Sequence, residues 1–151
     1  MSKFKQKFLI GIVLFMLLLM LIGCSQSTTA PSGGTITFAP ASHTQAGIAS
    51  NTIVTFTVTV KDSNGKPMNK AKLMISGPFA VPRTPVAYYQ FYRGNNATGG
   101  AVNSGFEAET DEFGAYTFSV IIDAAASAGG FADYIAVYSG TNYGSAALSV
   151  T

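Results

Sequence analysis

The side chains best suited to chemistry fall in two short stretches. Glu107, Glu109 and Asp111 alternate along the chain with Glu112 adjacent, so on a strand the first three carboxylates project from one face. Carboxylates this close suit a hard cation such as calcium, which accepts oxygen ligands in flexible geometry. The same row on a strand edge would simply discourage pairing with another sheet, and this second role is preferred. Asp62, Ser63 and Asn64 resemble part of a calcium loop but lack its remaining ligands. The other stretch is aromatic. Tyr88 and Tyr92 share one face of an extended segment and Tyr89 and Phe91 the opposite one. One pair is expected in the core, and the other could offer a flat platform to a sugar or a protein. The only histidine, His43, sits in a Pro-Ala-Ser-His-Thr-Gln run with no nucleophile or zinc partner near it, and reads as a solvated loop residue. No phosphate loop or nucleophile elbow is present. The remaining reactive group is the thiol of Cys24, the only cysteine. It leaves no second thiol for a disulfide or a thiolate metal site.

The elements that must position these residues read as β throughout. In 53–61, Val54, Phe56, Val58 and Val60 fall on one face and Thr55, Thr57, Thr59 and Lys61 on the other. Leu73 and Ile75 point inward beside an outward Lys72, and Tyr116, Phe118, Val120 and Ile122 share one side of 115–122. Further strands are expected at 35–38, 86–92, 106–110, 134–138 and 145–150, the last two joined through 140–144. Asp62-Ser-Asn-Gly-Lys-Pro67 is a tight turn with positive φ at Asn64-Gly65, and Asp111-Glu-Phe-Gly114 is another. Seven or eight short strands suit a two-sheet sandwich. With no disulfide to hold it, packing must come from apolar strand faces, and the chain's 11 Phe and 7 Tyr, all of them beyond residue 23 except Phe4, Phe8 and Phe15, are the natural supply.

The first 24 residues are of another kind. Lys3, Lys5 and Lys7 form a positive opening, and 8–22 is an uncharged apolar run ending at Gly23-Cys24. It is shorter than the ~20 residues a membrane-spanning helix needs, which favours a cleaved signal. Leu21-Ile22-Gly23-Cys24 resembles the lipobox of bacterial lipoproteins. That resemblance implies cleavage before Cys24 and attachment of fatty acyl chains, palmitate among them, to its thiol and new amino group. Two or three chains give stable anchoring. Ser25 is not the Asp that in enteric-type sorting retains such a protein in the inner membrane. An outer-membrane location is implied where the organism has one, and otherwise the outer face of the cell membrane.

Removal of 1–23 leaves 128 residues, one domain's worth. They hold six Lys and Arg against seven Asp and Glu, a net charge of −1, which gives no electrostatic footprint for nucleic acid. Residues 25–34, Ser-Gln-Ser-Thr-Thr-Ala-Pro-Ser-Gly-Gly, read as a flexible tether. The domain organisation is then a signal peptide at 1–23, the lipidated Cys24 and tether to 34, and one all-β domain at 35–151.

Three pieces in order, Val58-Thr-Val-Lys-Asp-Ser-Asn-Gly-Lys-Pro67, Thr110-Asp-Glu-Phe-Gly-Ala-Tyr-Thr-Phe118 and Tyr134-Ile-Ala-Val-Tyr-Ser-Gly-Thr-Asn-Tyr-Gly-Ser-Ala-Ala-Leu148, resemble the bacterial immunoglobulin-like domains of the invasin and intimin group. The resemblance implies an immunoglobulin-like β-sandwich over 35–151, with 78–105 as an insertion, and a role in adhesion or envelope assembly. Three functions follow as expectations. The first is a non-catalytic, lipid-anchored envelope protein that meets another envelope protein or a surface glycan. The second is a carbohydrate- or calcium-dependent binding module, and the third an accessory subunit of an envelope enzyme. No catalytic residue and no cofactor beyond the lipid on Cys24 is expected.

Overall fold

The computed structural model describes residues 27–47, 50–79, 88–97, 100–102, 104–125 and 128–151. The signal segment, Cys24 and residues 86–87 of the expected aromatic strand lie outside these. Among the described residues ten strands form two five-stranded sheets packed face to face. The first sheet runs in the order β1 (Thr35–Ala39), β3 (Thr52–Lys61), β8 (Ala115–Ile122), β5 (Tyr89–Arg93), β6 (Ala101–Val102). The second runs β2 (Ser42–Gln45), β10 (Asn142–Val150), β9 (Phe131–Ser139), β4 (Lys72–Ser76), β7 (Phe106–Glu109). A single 3₁₀ turn, η1 (Asn95–Ala97), is the only helical element among the described residues.

The topology is that of an immunoglobulin-like sandwich, in which one sheet is ordered A-B-E-D and the other holds G, F and C. Here β1, β3, β8 and β5 take the first four places and β10, β9 and β4 the others. The opening strand is divided between the sheets: β1 pairs antiparallel with β3, and β2 pairs parallel with β10. The stretch 78–105 read as an insertion supplies β5, η1 and β6. The chain leaves β4, adds β5 and β6 to the opposite sheet, and returns to lay β7 against β4. As a result β7 is an edge strand.

Period-two alternation decides which side chains enter the core. Val54, Phe56, Val58 and Val60 are buried from β3, Phe118, Val120 and Ile122 from β8, and Leu73 and Ile75 from β4. Phe106 crosses from the second sheet to meet Phe91, Tyr116 and Phe118 of the first, each at a centroid distance of 6.1 Å and inclined at 61–81°. Inclined aromatic contacts place ring edges against ring faces and add ~0.5–1.5 kcal/mol each beyond area burial. They knit the sheets together where many immunoglobulin domains use a disulfide.

The two Asp-containing turns are built alike. In 62–66 the Asp62 Oδ1 accepts from the amides of Asn64 and Lys66, both at 2.9 Å, while Asp62 N donates to Lys66 O and Gly65 N to Asp62 O. In 111–115 the Asp111 Oδ1 accepts from Phe113 N and Ala115 N, again both at 2.9 Å, and the same two backbone bonds close the loop. Gly65 (φ 79°) and Gly114 (φ 72°) take the left-handed position in each. Asn64 does not share it, contrary to the expectation from sequence. The turns also touch one another. Val60 N donates to Gly114 O, Pro67 lies against Gly114, and the buried Thr110 hydroxyl bridges Met68 O and Ala71 N.

Three segments differ from the sequence reading. His43 is not in a loop; it lies in β2 opposite Leu148, half-buried, with an enclosed Nε2 that meets no hydrogen-bonding group among the described residues. β9 and β10 are longer than expected and meet at a two-residue turn, 140–141. Residues 27–34, read as tether, are held by the sandwich. Ala30 is buried, its amide donates to Ser139 Oγ at 2.9 Å, and Asn142 Nδ2 reaches both Ala30 O and Pro31 O. Thr28 bridges Ala71 in parallel, with Thr28 N on Lys70 O and Lys72 N on Thr28 O.

Candidate functional site

The four aromatic residues singled out in sequence divide as their alternation requires. Tyr89 and Phe91 are fully buried and belong to the core, so neither can form a surface platform. Tyr88 is half-buried and stacks on Phe131 at 5.0 Å, and Tyr92 is half-buried with its hydroxyl at the limit of hydrogen bonding to Gln90. The outer face of this sheet is partly covered: Ser119 points outward from β8 yet is fully buried, its hydroxyl donating to Gly94 O beside η1. Tyr89 instead makes an internal joint. Its hydroxyl donates to Asp133 Oδ2 at 3.1 Å, the same oxygen that accepts from Phe79 N at 2.9 Å. Burial, and next the Asp133 carboxylate, push the Tyr89 phenol far above its ordinary range. Asp133 thereby fixes both flanks of residues 80–87.

An aromatic surface does exist, on the outer face of the second sheet. Glu107 lies opposite Met74, Met74 opposite Tyr138, and Tyr138 opposite Tyr143. Residues directly opposite in a ladder share a face, so these four form one row across β7, β4, β9 and β10. With strands ~4.8 Å apart, the row spans ~14 Å. Tyr138 and Tyr143 are 42% and 50% exposed with ring centroids 5.2 Å apart, and Met74 is 43% exposed. Further along the same face Tyr134 stacks on Phe79 at 4.6 Å, and both are exposed. The two-residue turn at 140–141 sets Tyr138 and Tyr143 in register, while the outward parity of Tyr134 and Tyr138 follows from inward Ile135 and Val137.

Beside this row runs an open groove of about 570 Å³. Lys72, Met74 and Tyr138 line it, with Glu107 and Glu109 on the β7 side and Ser27 and Thr29 of the docked N-terminal segment among its other lining residues. Glu107 and Glu109 are exposed, as alternation on an edge strand predicts, and Lys72 lies directly across from Glu109. Asp111 does not join them. Its Oδ1 is committed to two turn amides, and no three His, Cys, Asp or Glu side chains among the described residues converge into a cation-holding group. The acidic triplet does not share one face: the strand ends at Glu109, and the turn directs the Asp111 carboxylate to its own amides.

The arrangement offers flat apolar ring faces, a flexible thioether, two carboxylate acceptors and one ammonium donor along a single exposed strip. These groups recognise by stacking and hydrogen bonding. The acidic half was visible in the sequence. The tyrosine half was missed, although the alternation in 134–138 carried the signal. Comparison of the chain with models of known protein families finds no match, and neither does a search of characterised proteins.

Proposed function

We propose that the chain is a lipid-anchored cell-envelope protein whose immunoglobulin-like domain is non-catalytic and binds an envelope partner through the outer face of its second sheet, in envelope assembly or adhesion. The signal-like segment and Leu21-Ile22-Gly23-Cys24 support the anchor. The observation that carries the binding reading is the row Glu107, Met74, Tyr138, Tyr143, since aromatic and Met side chains exposed together on a rigid sheet are the groups enriched at recognition surfaces. The outer membrane is the place this reading gives it where the organism has one, and the outer face of the cell membrane otherwise.

A photo-crosslinking residue at Tyr143, used in whole cells, tests this. A discrete crosslinked species is expected from position 143 and not from the exposed Thr37 on the opposite sheet. Tyr138→Ala should diminish it while leaving the melting temperature nearly unchanged. Identical products from both positions would overturn the reading. The paired tyrosine rings, with a carboxylate two strands away in the same row, favour one variant of it, in which the partner is a surface glycan stacked on Tyr138 and Tyr143. A glycan array distinguishes the two: binding lost in Tyr143→Ala selects the glycan, and silence removes it.

A further inference from the structure

We propose that one end of the sandwich, made by the turns at 62–67, 111–114 and 140–141, rests directly on the membrane with the Phe113 ring in the bilayer interface; this rests on the reading of Cys24 as the lipidated residue. Two independent observations lead there. The first is where the described chain stops and in which direction. Thr28 bridges Ala71 in parallel, so Ser27, the first described residue, lies toward the start of β4. That is the end where β3, β7 and β9 finish and β4, β8 and β10 begin. With 27–34 docked on the sandwich, only three residue steps separate Ser27 from Cys24. An extended chain covers at most ~3.6 Å per residue, ~11 Å in all. The polar layer on each side of a bilayer is ~5–8 Å deep, so an end tethered this closely lies at the headgroups rather than beyond them.

The second observation is the character of that end. Phe113, at the tip of the 111–114 turn, is 70% exposed, against 41–50% for the other large apolar side chains that reach the surface among the described residues. Its turn is held by both Asp111 bonds and by contact with Val60 and Pro67, so the ring is presented on a rigid support. The neighbouring charges balance, Lys61, Lys66 and Lys70 against Asp62, Asp111 and Glu112. Attraction to anionic lipid is therefore not what seats it; apolar insertion is. The orientation stands the tyrosine-bearing face upright, open to a partner lying alongside in the envelope.

The chain contains no Trp, so Phe113→Trp places a single emitter at this tip and Tyr134→Trp one toward the opposite end. The mature protein carrying each substitution is purified from membranes, its mass is measured for acylation at Cys24, and it is reconstituted into phosphatidylcholine vesicles with brominated acyl chains. Expected is a blue-shifted Phe113→Trp emission that loses its larger part to bromine quenching, independent of salt and of added phosphatidylglycerol, with Tyr134→Trp unquenched. Equal quenching at the two positions in protein that floats with vesicles and carries the Cys24 lipid overturns the seating and leaves the anchor intact. Protein that lacks the lipid mass and does not float overturns the anchor, and the seating with it. Matching melting curves for both variants and the parent establish that each is folded.

Discussion

Replacing Asp111 by Ala asks whether this carboxylate builds a turn or waits for a metal. The side chain accepts two backbone N–H bonds at 2.9 Å on one oxygen. A hydrogen bond to a charged group contributes ~1.5–3 kcal/mol, and exposure to competing water brings each nearer ~1 kcal/mol, so the turn loses about 2 kcal/mol. At a urea dependence of ~2 kcal/mol per molar, the unfolding midpoint should fall by ~1 M. Asp111→Asn keeps an amide oxygen in the same place and should lose less than half as much. Asp62→Ala supplies an internal standard, since Asp62 accepts the equivalent pair at the same distances; it should match Asp111→Ala to within ~0.5 kcal/mol. The double variant should fall short of the sum, because the turns share the Val60, Pro67 and Gly114 contacts. The assay is urea unfolding followed by tyrosine fluorescence, in chelator and in millimolar calcium. An Asn variant as damaged as the Ala variant would refute the turn reasoning. A loss confined to Asp111 and seen only with calcium would return the carboxylate to a cation.

Tyr89 predicts an alkaline limit. Its folded phenol titrates above the unfolded value near 10, so its contribution is intact below about pH 10 and falls above that at up to ~1.4 kcal/mol per pH unit. Tyr89→Phe should cost ~1–2 kcal/mol at pH 7, through the lost bond to Asp133, and unfold less steeply above pH 10; equal alkaline slopes in urea titrations would contradict this. Gly105→Ala should lower the melting temperature by roughly 10 °C, because its Cβ would lie 2.4 Å from Ile75 O at a φ of +95°, and calorimetry reads the shift. Asn142→Ala removes the donor that holds Ala30 O and Pro31 O, and hydrogen exchange at Ala30 should accelerate at least tenfold, the equivalent of ~1.4 kcal/mol. Unchanged protection would mean that Ser139 alone retains the segment.

What the sequence determined by itself is what depends on near neighbours. The buried faces of β3, β4 and β8 follow from alternation, because successive side chains on a strand must point opposite ways. The same rule sent Tyr89 and Phe91 inward together and left Glu107 and Glu109 on one exposed face. The Asp-x-x-Gly turns are also local, each closed by its own carboxylate and glycine. The tertiary structure decided everything that depends on who lies across. Composition cannot distinguish a free tether from the docked 27–34, since Ala30 is buried by Ser139 and Asn142, 109 and 112 residues away. Nor can parity say whether an outward face is covered: Ser119 points out and is sealed by the turn at 94–97, while Tyr138 and Tyr143 point out and stay open. Asp111 continues the alternation of Glu107 and Glu109 in sequence, but the strand ends at Glu109 and the turn turns the third carboxylate back upon itself. Side-chain direction is fixed residue by residue, whereas exposure is a property of the second body that packs there.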